Sequence, residues 1–422
     1  MGNARKDIEQ KSIKYDKLQT LIHYVNKETL KEQHDKQRKG KATGSDKTTK
    51  EEYEENLEEN LNTLTSKMRT FSYKPQAVRR TYIPKANGQL RPLGIPAYED
   101  KLVQGAMTEV LNGVYEPRFL ECSYGFRPER SCHQAIKEIN KTIMTRKVSY
   151  ILDADIKGFF DNVDHKWLVK FLENDIQDKN FIRYIVRFLK AGIIEDLKYY
   201  DSDKGTPQGG LISPILANVY LHYVLDLWFE KGIKPKLQGE AYLVRYADDF
   251  IIMSQYENEA KKVYEELKKR LNKFGLELAE DKTRILPFGR FKGTKETFDF
   301  LGFTHINGRT RESGKYIVKH KTSKKKMKAK KEAVKIWIEG NMHKPISTIM
   351  ETLKKKLTGH YNYYGVSGNS EDIAQFYMYT RDRIYKTLNK RTQKNKMKWW
   401  QFNRIWEGFK IPTPKIKVNI YV

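Results

Sequence analysis

The sequence has little cysteine, no long apolar run and too few acidic residues to balance its basic ones. Only two of its 422 residues are cysteines, Cys122 and Cys132, which suits a reducing compartment and rules out a four-cysteine zinc site. No apolar stretch approaches the roughly 18 residues of a membrane-spanning helix. Lys and Arg number 80 against 53 Asp and Glu, a formal net charge of +27. This excess indicates a polyanionic partner, either nucleic acid or an anionic membrane surface.

The basic excess is concentrated near the C-terminus. From residue 315 onward, 26 Lys and Arg accompany only 7 Asp and Glu, so this segment carries +19 of the total charge. Aromatic residues are interleaved with the lysines, as suits phosphate contacts and base stacking. The alternative is a solvated helical face over an ordinary aromatic core. We expect most of the aromatics to be core and most of the lysines to be functional.

Two adjacent acids lie between β-prone runs. Tyr242–Val244 precedes and Phe250–Met253 follows the sequence Tyr246-Ala247-Asp248-Asp249, which predicts a hairpin with both acids at its tight turn. Acids in a turn are by themselves ordinary turn chemistry.

A second acidic cluster ends another β-prone stretch, where Asp153 and Asp155 follow Ser149–Leu152. A strand end with solvated acids would explain this pair alone. If the strand lies beside the first hairpin, however, Asp155 and Asp248 could hold two Mg²⁺ ions. Two such ions can clamp the attacking and leaving oxygens of a phosphoryl transfer.

Two further segments suit a phosphate-bearing substrate. Asn87-Gly88 is a strong hairpin signal that places Lys85 and Arg91 near one basic tip. The loop Lys204–Pro214 has two glycines after Gln208, which would allow close approach of its backbone to a ligand, although a plain loop is the simpler interpretation.

Periodicity and breaker residues predict the remaining elements. We expect helices at Thr49–Arg69, 99–115, 131–146, Ile215–Trp228 and Glu257–Phe274, strands at Leu276–Leu278, Thr283–Leu286 and Phe298–Phe303, and helices from near His320 to about Lys398, broken at Pro345 and at Gly365–Gly368.

Taken in order, seven blocks resemble the reverse transcriptase/maturase encoded within group II introns. The blocks are Arg79–Pro96, Ser123–Arg130, Asp153–His165, Gly205–Pro214, Arg245–Asp249, Gly275–Lys282 and Phe298–Phe303. The resemblance implies an α+β, right-hand polymerase fold, with fingers and palm built of antiparallel sheet plus helices and a helical thumb. The implied domains are an N-terminal extension (1–78), fingers and palm (79–310), a thumb or maturase domain (311–398) and a basic aromatic tail (399–422). With no downstream cysteines, the short class without an endonuclease is expected.

The same resemblance implies roles for individual residues. Two Mg²⁺ ions would be held by Asp155, Asp248, Asp249 and the Ile156 carbonyl. The incoming dNTP would meet Lys85, Arg91, Gln208, Lys282 and Phe160, whose ring would exclude a 2′-hydroxyl. Template and primer would meet Arg79, Arg127, Gly209, Gly210, Phe300, Leu301 and Gly302. The basic helices would bind RNA through Lys324, Lys325, Lys326, Lys328, Lys354, Lys355 and Lys356.

The implied activity is RNA-directed DNA synthesis coupled to intron splicing and retrohoming. Its partners would be group II intron RNA, an RNA template with a DNA primer, and target DNA, with no membrane, in a bacterial cytoplasm and at the nucleoid when bound. Two other functions stay open: a splicing cofactor that only binds RNA, and a related polymerase recruited to DNA repair or phage defence. An RNA-dependent RNA polymerase fits less well, because Phe160 disfavours ribonucleotides.

Overall fold

A computed structural model describes residues 2–84, 90–195, 198–201, 204–206, 209–391 and 396–421. The chain divides into two compact units. Unit 1 comprises Met1–Ser131, Leu152–Ile252 and Asn258–Arg284. Unit 2 comprises Cys132–Ile151, Met253–Glu257 and Ile285–Val422. The domain limits inferred from the sequence stay predictions.

Helices make up most of the regular structure. The α-helices of the described residues are α1 (Gly2–Lys14), α2 (Lys27–Lys36), α3 (Lys50–Glu55), α4 (Leu57–Arg69), α5 (Tyr98–Tyr115), α6 (Cys132–Thr145), α7 (Phe159–Asn162), α8 (His165–Asp175), α9 (Lys179–Leu189), α10 (Ser213–Leu221), α11 (Glu257–Lys273), α12 (Lys324–Asn341), α13 (Ile346–Tyr364), α14 (Ser370–Leu388) and α15 (Trp399–Gly408). After α10 the backbone continues as π-helical turns, His222–Asp226 and Trp228–Ile233, so the α-helix predicted to reach Trp228 ends at Leu221.

The strands form three sheets. They are β1 (Val78–Pro84), β2 (Leu90–Ile95), β3 (Tyr150–Ala154), β4 (Ile193–Glu195), β5 (Lys198–Tyr200), β6 (Ala241–Tyr246), β7 (Asp249–Ser254), β8 (Arg284–Pro287), β9 (Thr297–Phe300), β10 (Phe303–Arg309) and β11 (Tyr316–Thr322). The sheet orders are β2-β1-β4-β5, β6-β7-β3-β8 and β11-β10-β9. The order of the second sheet brings β3 next to β7, as the sequence argument required.

Helix α5 lies in the core of unit 1. Thirteen of its eighteen residues are buried, and among them Leu102, Val103 and Met107 are fully enclosed. A helix that is buried on most of its sides lies inside a domain rather than at its surface.

Unit 2 has its own core, built from the faces of α12, α13 and α14. The C-terminal residues Phe402, Trp406 and Ile420 belong to this core, while Trp399 and Trp400 remain exposed. The expectation that most of the C-terminal aromatics are core residues is confirmed.

Three histidines of unit 2 are buried, and we refer to them as the buried histidines: His305, His320 and His360. Neither ring nitrogen of any of them has a hydrogen-bond partner among the described residues. Instead His305 stacks on Phe298 at 4.4 Å between ring centroids, and His360 stacks on Phe376 at 4.0 Å. Desolvation lowers the pKa of His320 to about 4 and that of His360 to about 3, and it lowers the pKa of His305 well below its usual value.

Two more of the predicted helical segments, besides the one that ends at Leu221, were wrong in detail. The single helix expected over Thr49–Arg69 is broken at Asn56, whose backbone leaves the helical region; the Asn60 side chain donates to the Tyr53 carbonyl near the break, at 3.1 Å. Helices do not resume near His320, because Tyr316–Thr322 forms a strand whose residues alternate between buried and half-buried. Alternation with period two is the strand signal, and α12 begins only after Ser323.

Two of the predicted strands also differ. Phe298–Phe303 is not one strand but a hairpin, with β9 ending at Phe300 and β10 beginning at Phe303. Leu301 and Gly302 both have positive φ, as a two-residue hairpin turn requires. Leu276–Leu278 forms only an isolated bridge, from Leu278 to Ile156.

Candidate active site

The predicted acidic hairpin is present. Strand β6 ends at Tyr246 and β7 begins at Asp249, so Ala247 and Asp248 form a two-residue turn. Ala247 has φ 58°, a conformation that a residue with a Cβ adopts only when its surroundings hold it there. A neighbouring loop supplies that support, since a Cβ on Gly125 would lie 2.3 Å from the Ala247 nitrogen.

A buried ion pair anchors the same turn. The Arg245 guanidinium, fully enclosed, donates to both carboxylate oxygens of Asp226 at 2.6 and 2.7 Å. It also donates to the Ala247 carbonyl at 3.0 Å, to Asn218 Oδ1 at 3.0 Å and to Ser123 Oγ at 2.7 Å. Arg245 therefore ties the turn that presents Asp248 to a helix and to the adjacent loop.

Sequence reasoning did not assign a role to Arg245. An arginine on a strand usually lies at the surface, and the partners that bury this one come from segments 19, 27 and 122 residues away. The signal that could have found it is its place in an otherwise apolar strand directly before the acidic turn.

The negative charge of Asp155 acts on the carboxylate of Asp248. Desolvation raises the pKa of Asp248, the negative charge of Asp155 raises it further, and Arg91 acts in the opposite direction. Arg91 lies on β2, opposite Ile83 of β1. Its effect on the pKa of Asp248 shows that Arg91 is within electrostatic reach of the acidic turn.

Lys282 supplies a positive charge to the same cluster. Its ammonium donates to Asp155 Oδ2 at 2.7 Å, and this bond, together with the charge of Asp155, raises the pKa of Lys282; Asp249 contributes in the same direction. Main-chain bonds fix the approach, because the Ala279 amide donates to the Asp155 carbonyl at 2.8 Å and the Lys157 amide donates to the Glu277 carbonyl at 2.9 Å. In this antiparallel pairing the Ile156 carbonyl points away from the segment that carries Lys282.

A loop–helix contact lies around Phe160. Phe160 is half-buried on α7, and its carbonyl accepts a hydrogen bond from the Thr206 amide at 2.8 Å. A Cβ on Gly205 would lie 2.8 Å from that carbonyl, and a Cβ on Gly209 would lie 2.4 Å from the Gly94 carbonyl of β2. Gly205 and Gly209 thus allow the loop to contact the protein's own backbone closely. Further along the loop, the Gly210 carbonyl accepts a hydrogen bond from the Ser213 amide at 3.3 Å. The predicted contacts Lys85 and Gln208 lie outside the described residues.

Arg79 and Arg127 make contacts inside the protein. Arg79 donates twice to the Thr43 carbonyl, at 2.6 and 3.0 Å. Arg127 is buried, pairs with Glu116 at 2.7 Å and donates to the Ser123 carbonyl at 2.8 Å. Contacts of these arginines with a template stay a prediction.

The remaining predicted site residues lie in unit 2. The Leu301 carbonyl accepts from Tyr363 Oη at 2.9 Å and the Gly302 carbonyl accepts from the Ser323 amide at 3.0 Å, so the turn after Phe300 is fixed from two sides. The predicted RNA-binding lysines divide between α12, with Lys324, Lys325, Lys326 and Lys328, and α13, with Lys354, Lys355 and Lys356.

The donor chemistry near Asp155 fits Mg²⁺. Among the residues that the structure describes, no group of three or more His, Cys, Asp or Glu is gathered closely enough to hold a metal ion as it stands. The charge of Asp155 nevertheless raises the pKa of Asp248, so a cation placed between the two carboxylates would relieve their repulsion. Carboxylate oxygens are the ligands that this hard cation prefers.

The match to known proteins identifies the class. The profile of the reverse transcriptase (RNA-dependent DNA polymerase) family matches residues 83–305, just over half of the chain, and the chain belongs to this family. The predicted α+β polymerase fold class is thereby confirmed.

Similar proteins narrow the class further. The group II intron-encoded protein LtrA of Lactococcus lactis subsp. cremoris is 35% identical over 319 residues, covering 61% of this chain and 52% of LtrA. Protein YkfC of Escherichia coli (strain K12) is 33% identical over 298 residues, covering 64% of this chain and 77% of YkfC. The putative COX1/OXI3 intron 1 protein of Saccharomyces cerevisiae is 30% identical over 273 residues, covering 53% of this chain and 32% of the yeast protein. The chain spans about half the length of LtrA. These relatives confirm the predicted resemblance to group II intron reverse transcriptases.

Within the described part of the chain, no helix is both long and apolar enough to cross a bilayer.

Proposed function

We propose that this protein is an RNA-directed DNA polymerase that binds group II intron RNA, assists its splicing and copies it into DNA. The observation that carries the proposal is the cluster of Asp155, Asp248 and Lys282 on the fold of a reverse transcriptase. The names of LtrA and of the yeast relative supply the intron as the partner.

Each residue of the cluster has a proposed task. Asp155, Asp248 and Asp249, with the Ile156 carbonyl, would hold two Mg²⁺ ions. When bound, Mg²⁺ makes the primer 3′-hydroxyl a better nucleophile and offsets the charge of the leaving pyrophosphate. Because phosphoryl transfer depends mainly on positioning and electrostatics, a turn fixed by Arg245 suits this chemistry.

The charged residues around the acids would orient the nucleotide. Arg91 is within electrostatic reach of Asp248 and would bind the triphosphate. Lys282, now held by Asp155, would turn to the pyrophosphate once cations satisfy the carboxylates. The ring of Phe160 would lie under the sugar and exclude a 2′-hydroxyl.

The test is primer extension with the full chain, an RNA template, an annealed DNA primer, dNTPs and Mg²⁺. Asp248→Asn removes a ligand charge with little change in volume, so its rate should fall by at least a hundredfold, since each ~1.4 kcal/mol of transition-state stabilisation is about tenfold in rate. RNA binding should stay nearly unchanged.

The matched control is Asp153→Asn. Asp153 also lies on β3, but its carboxylate faces Arg284 at 3.7 Å, so extension should stay within a few-fold of the parent. Extension by Asp248→Asn within tenfold of the parent would contradict the metal assignment. RNA binding and splicing without synthesis by the parent would favour a splicing cofactor instead.

A further inference from the structure

A groove of about 540 Å³ lies in unit 2, between the β10–β11 hairpin and helices α12 and α14. We call it the α12 groove and define it by Ile306, Met327, Tyr379, Lys324, Lys328 and Lys331. Its volume falls in the range of pockets that enclose a small organic ligand. All of its lining residues lie C-terminal to the seven blocks, the last of which is Phe298–Phe303.

The groove combines an apolar interior with a cationic rim. Ile306 and Met327 contribute apolar surface and Tyr379 contributes an aromatic ring. Lys324, Lys328 and Lys331 follow the helical spacing i, i+4, i+7, so one face of α12 presents all three to the groove. The Lys331 ammonium lies 5.3 Å from the centroid of the Tyr379 ring, so a cation adjoins the aromatic surface.

Both acids that line the groove have partners, and the lining lysines outnumber them: Lys321, Lys324, Lys328 and Lys331. The Asp372 carboxylate accepts a hydrogen bond from the Thr322 amide at 2.9 Å. Glu332 pairs with Lys335 at 3.0 Å. The net electrostatic character of the rim is therefore set by its lysines.

We propose that the α12 groove binds one unpaired nucleotide of an RNA, with the base against Tyr379 and the flanking phosphates on Lys328 and Lys331. Charge complementarity favours a polyanion, and the Tyr379 ring offers a surface on which a base can stack. The proposal rests on the proposed function only in taking RNA as the partner. It distinguishes Lys324 and Lys328, which line the groove, from Lys325 and Lys326, which do not.

The test compares two RNA hairpins that differ by one bulged adenosine, with binding measured by filter retention on the full chain without Mg²⁺ or dNTPs. The parent should bind the bulged hairpin about tenfold more tightly, a typical effect of stacking one base on an aromatic ring. Tyr379→Ala should abolish that preference, whereas Tyr379→Phe should keep it because the ring remains.

Two lysine variants provide a matched pair on α12. Lys328→Gln should weaken binding of the bulged hairpin and lower its salt slope by about 0.7–0.9, the contribution of one phosphate contact. Lys325→Gln, equally exposed on the same helix but outside the groove lining, should lower the affinity for both hairpins by the same factor and so leave the ratio of the two affinities unchanged.

The outcomes separate this inference from the proposed function. Equal binding of the two hairpins by the parent would contradict the proposal that the α12 groove binds a nucleotide. A preference for the bulged hairpin that survives in Tyr379→Ala would contradict it as well. If the groove instead binds an acidic peptide, the parent should bind the two hairpins equally. Both results leave primer extension untouched. Failure of the parent to bind either hairpin would contradict the proposal that RNA is the partner, and with it the proposal that the α12 groove binds a nucleotide.

Discussion

The Arg245–Asp226 pair offers a sharp test of how the candidate site is held. Both side chains are fully enclosed and joined by two hydrogen bonds. Replacing Asp226 by Asn removes one charge and leaves the other buried without its counter-ion. Breaking a buried pair in this way typically costs about 3–5 kcal/mol, so the free energy of unfolding of unit 1 should fall by that amount.

A double variant separates stability from positioning. In Asp226→Leu/Arg245→Met both charges are gone, and replacing a buried pair by apolar residues is often neutral for stability. The Ala247 carbonyl nevertheless loses the donor that held it at 3.0 Å, and a buried acceptor left unpaired costs about 1–3 kcal/mol. We therefore expect the double variant to be more stable than Asp226→Asn but to extend a primer at least tenfold more slowly than the parent, because the turn that presents Asp248 is no longer fixed.

The assays are urea unfolding followed by circular dichroism, and single-turnover primer extension with the DNA primer already annealed. Glu230→Gln is the control, because Glu230 forms a more accessible pair with Lys234 at 2.8 Å in the following helical turns and should cost at most about 1 kcal/mol. Unchanged stability of Asp226→Asn would refute the energetic argument. Full activity of the double variant would show that Arg245 does not position the turn.

Three further predictions concern other parts of the chain. Phe160→Ala should admit ribonucleotides, lowering the preference for dNTPs over NTPs in primer extension by about ten- to a hundredfold, since one small group is worth about 1–3 kcal/mol of discrimination. Changing Lys324, Lys325, Lys326 and Lys328 together to Gln should flatten the salt dependence of intron RNA affinity by roughly two to four units, while extension of a short annealed primer changes less. The buried histidines should make unit 2 sensitive to acid. Their imidazoles resist protonation in the folded state but titrate near pH 6.5 in the unfolded chain. The free energy of unfolding is therefore fully present above that pH and falls as the pH drops toward 4. At pH 5.5 the loss in unfolding free energy is about 1.4 kcal/mol per histidine, about 4 kcal/mol in all, which thermal melting between pH 7.5 and 5.5 would measure.

The sequence predicted those parts of the site that depend on local chemistry. Two β-prone runs around Ala247-Asp248 can pair only through a tight turn, so the hairpin follows from neighbouring residues alone. The adjacency of β3 and β7 was a conditional expectation, and the sheet order satisfies it. Hydrogen bonds between residues 155–157 and 277–279 bring Lys282 to Asp155, a long-range pairing that hydrophobic periodicity could not show.

Features that depend on distant partners escaped prediction. Leu301-Gly302 lies within a run of alternating phenylalanines, and only the positive φ of both residues marks it as a turn. Helices were expected to resume near His320, yet this residue lies on β11, which pairs with β10 and places His320 opposite His305. Arg245 was passed over because its burial requires Asp226, Asn218 and Ser123 together.

Most of the excess positive charge and the proposed catalytic residues lie in different parts of this chain. The acidic turn, Asp155 and Lys282 lie in unit 1, where hydrogen bonds of 2.6–3.0 Å fix the turn and hold Lys282 against Asp155. The last 108 residues, in unit 2, carry +19 of the +27 charge. Interactions of exposed charges weaken with salt over about a Debye length, whereas buried or closely paired charges are screened much less. Raising the salt should therefore reduce RNA affinity steeply while changing the single-turnover rate of fully bound primer–template only slightly. If the rate and the affinity fell in parallel, the lysines of unit 2 would have to contribute to the chemical step itself, and the separation of tasks proposed here would be wrong.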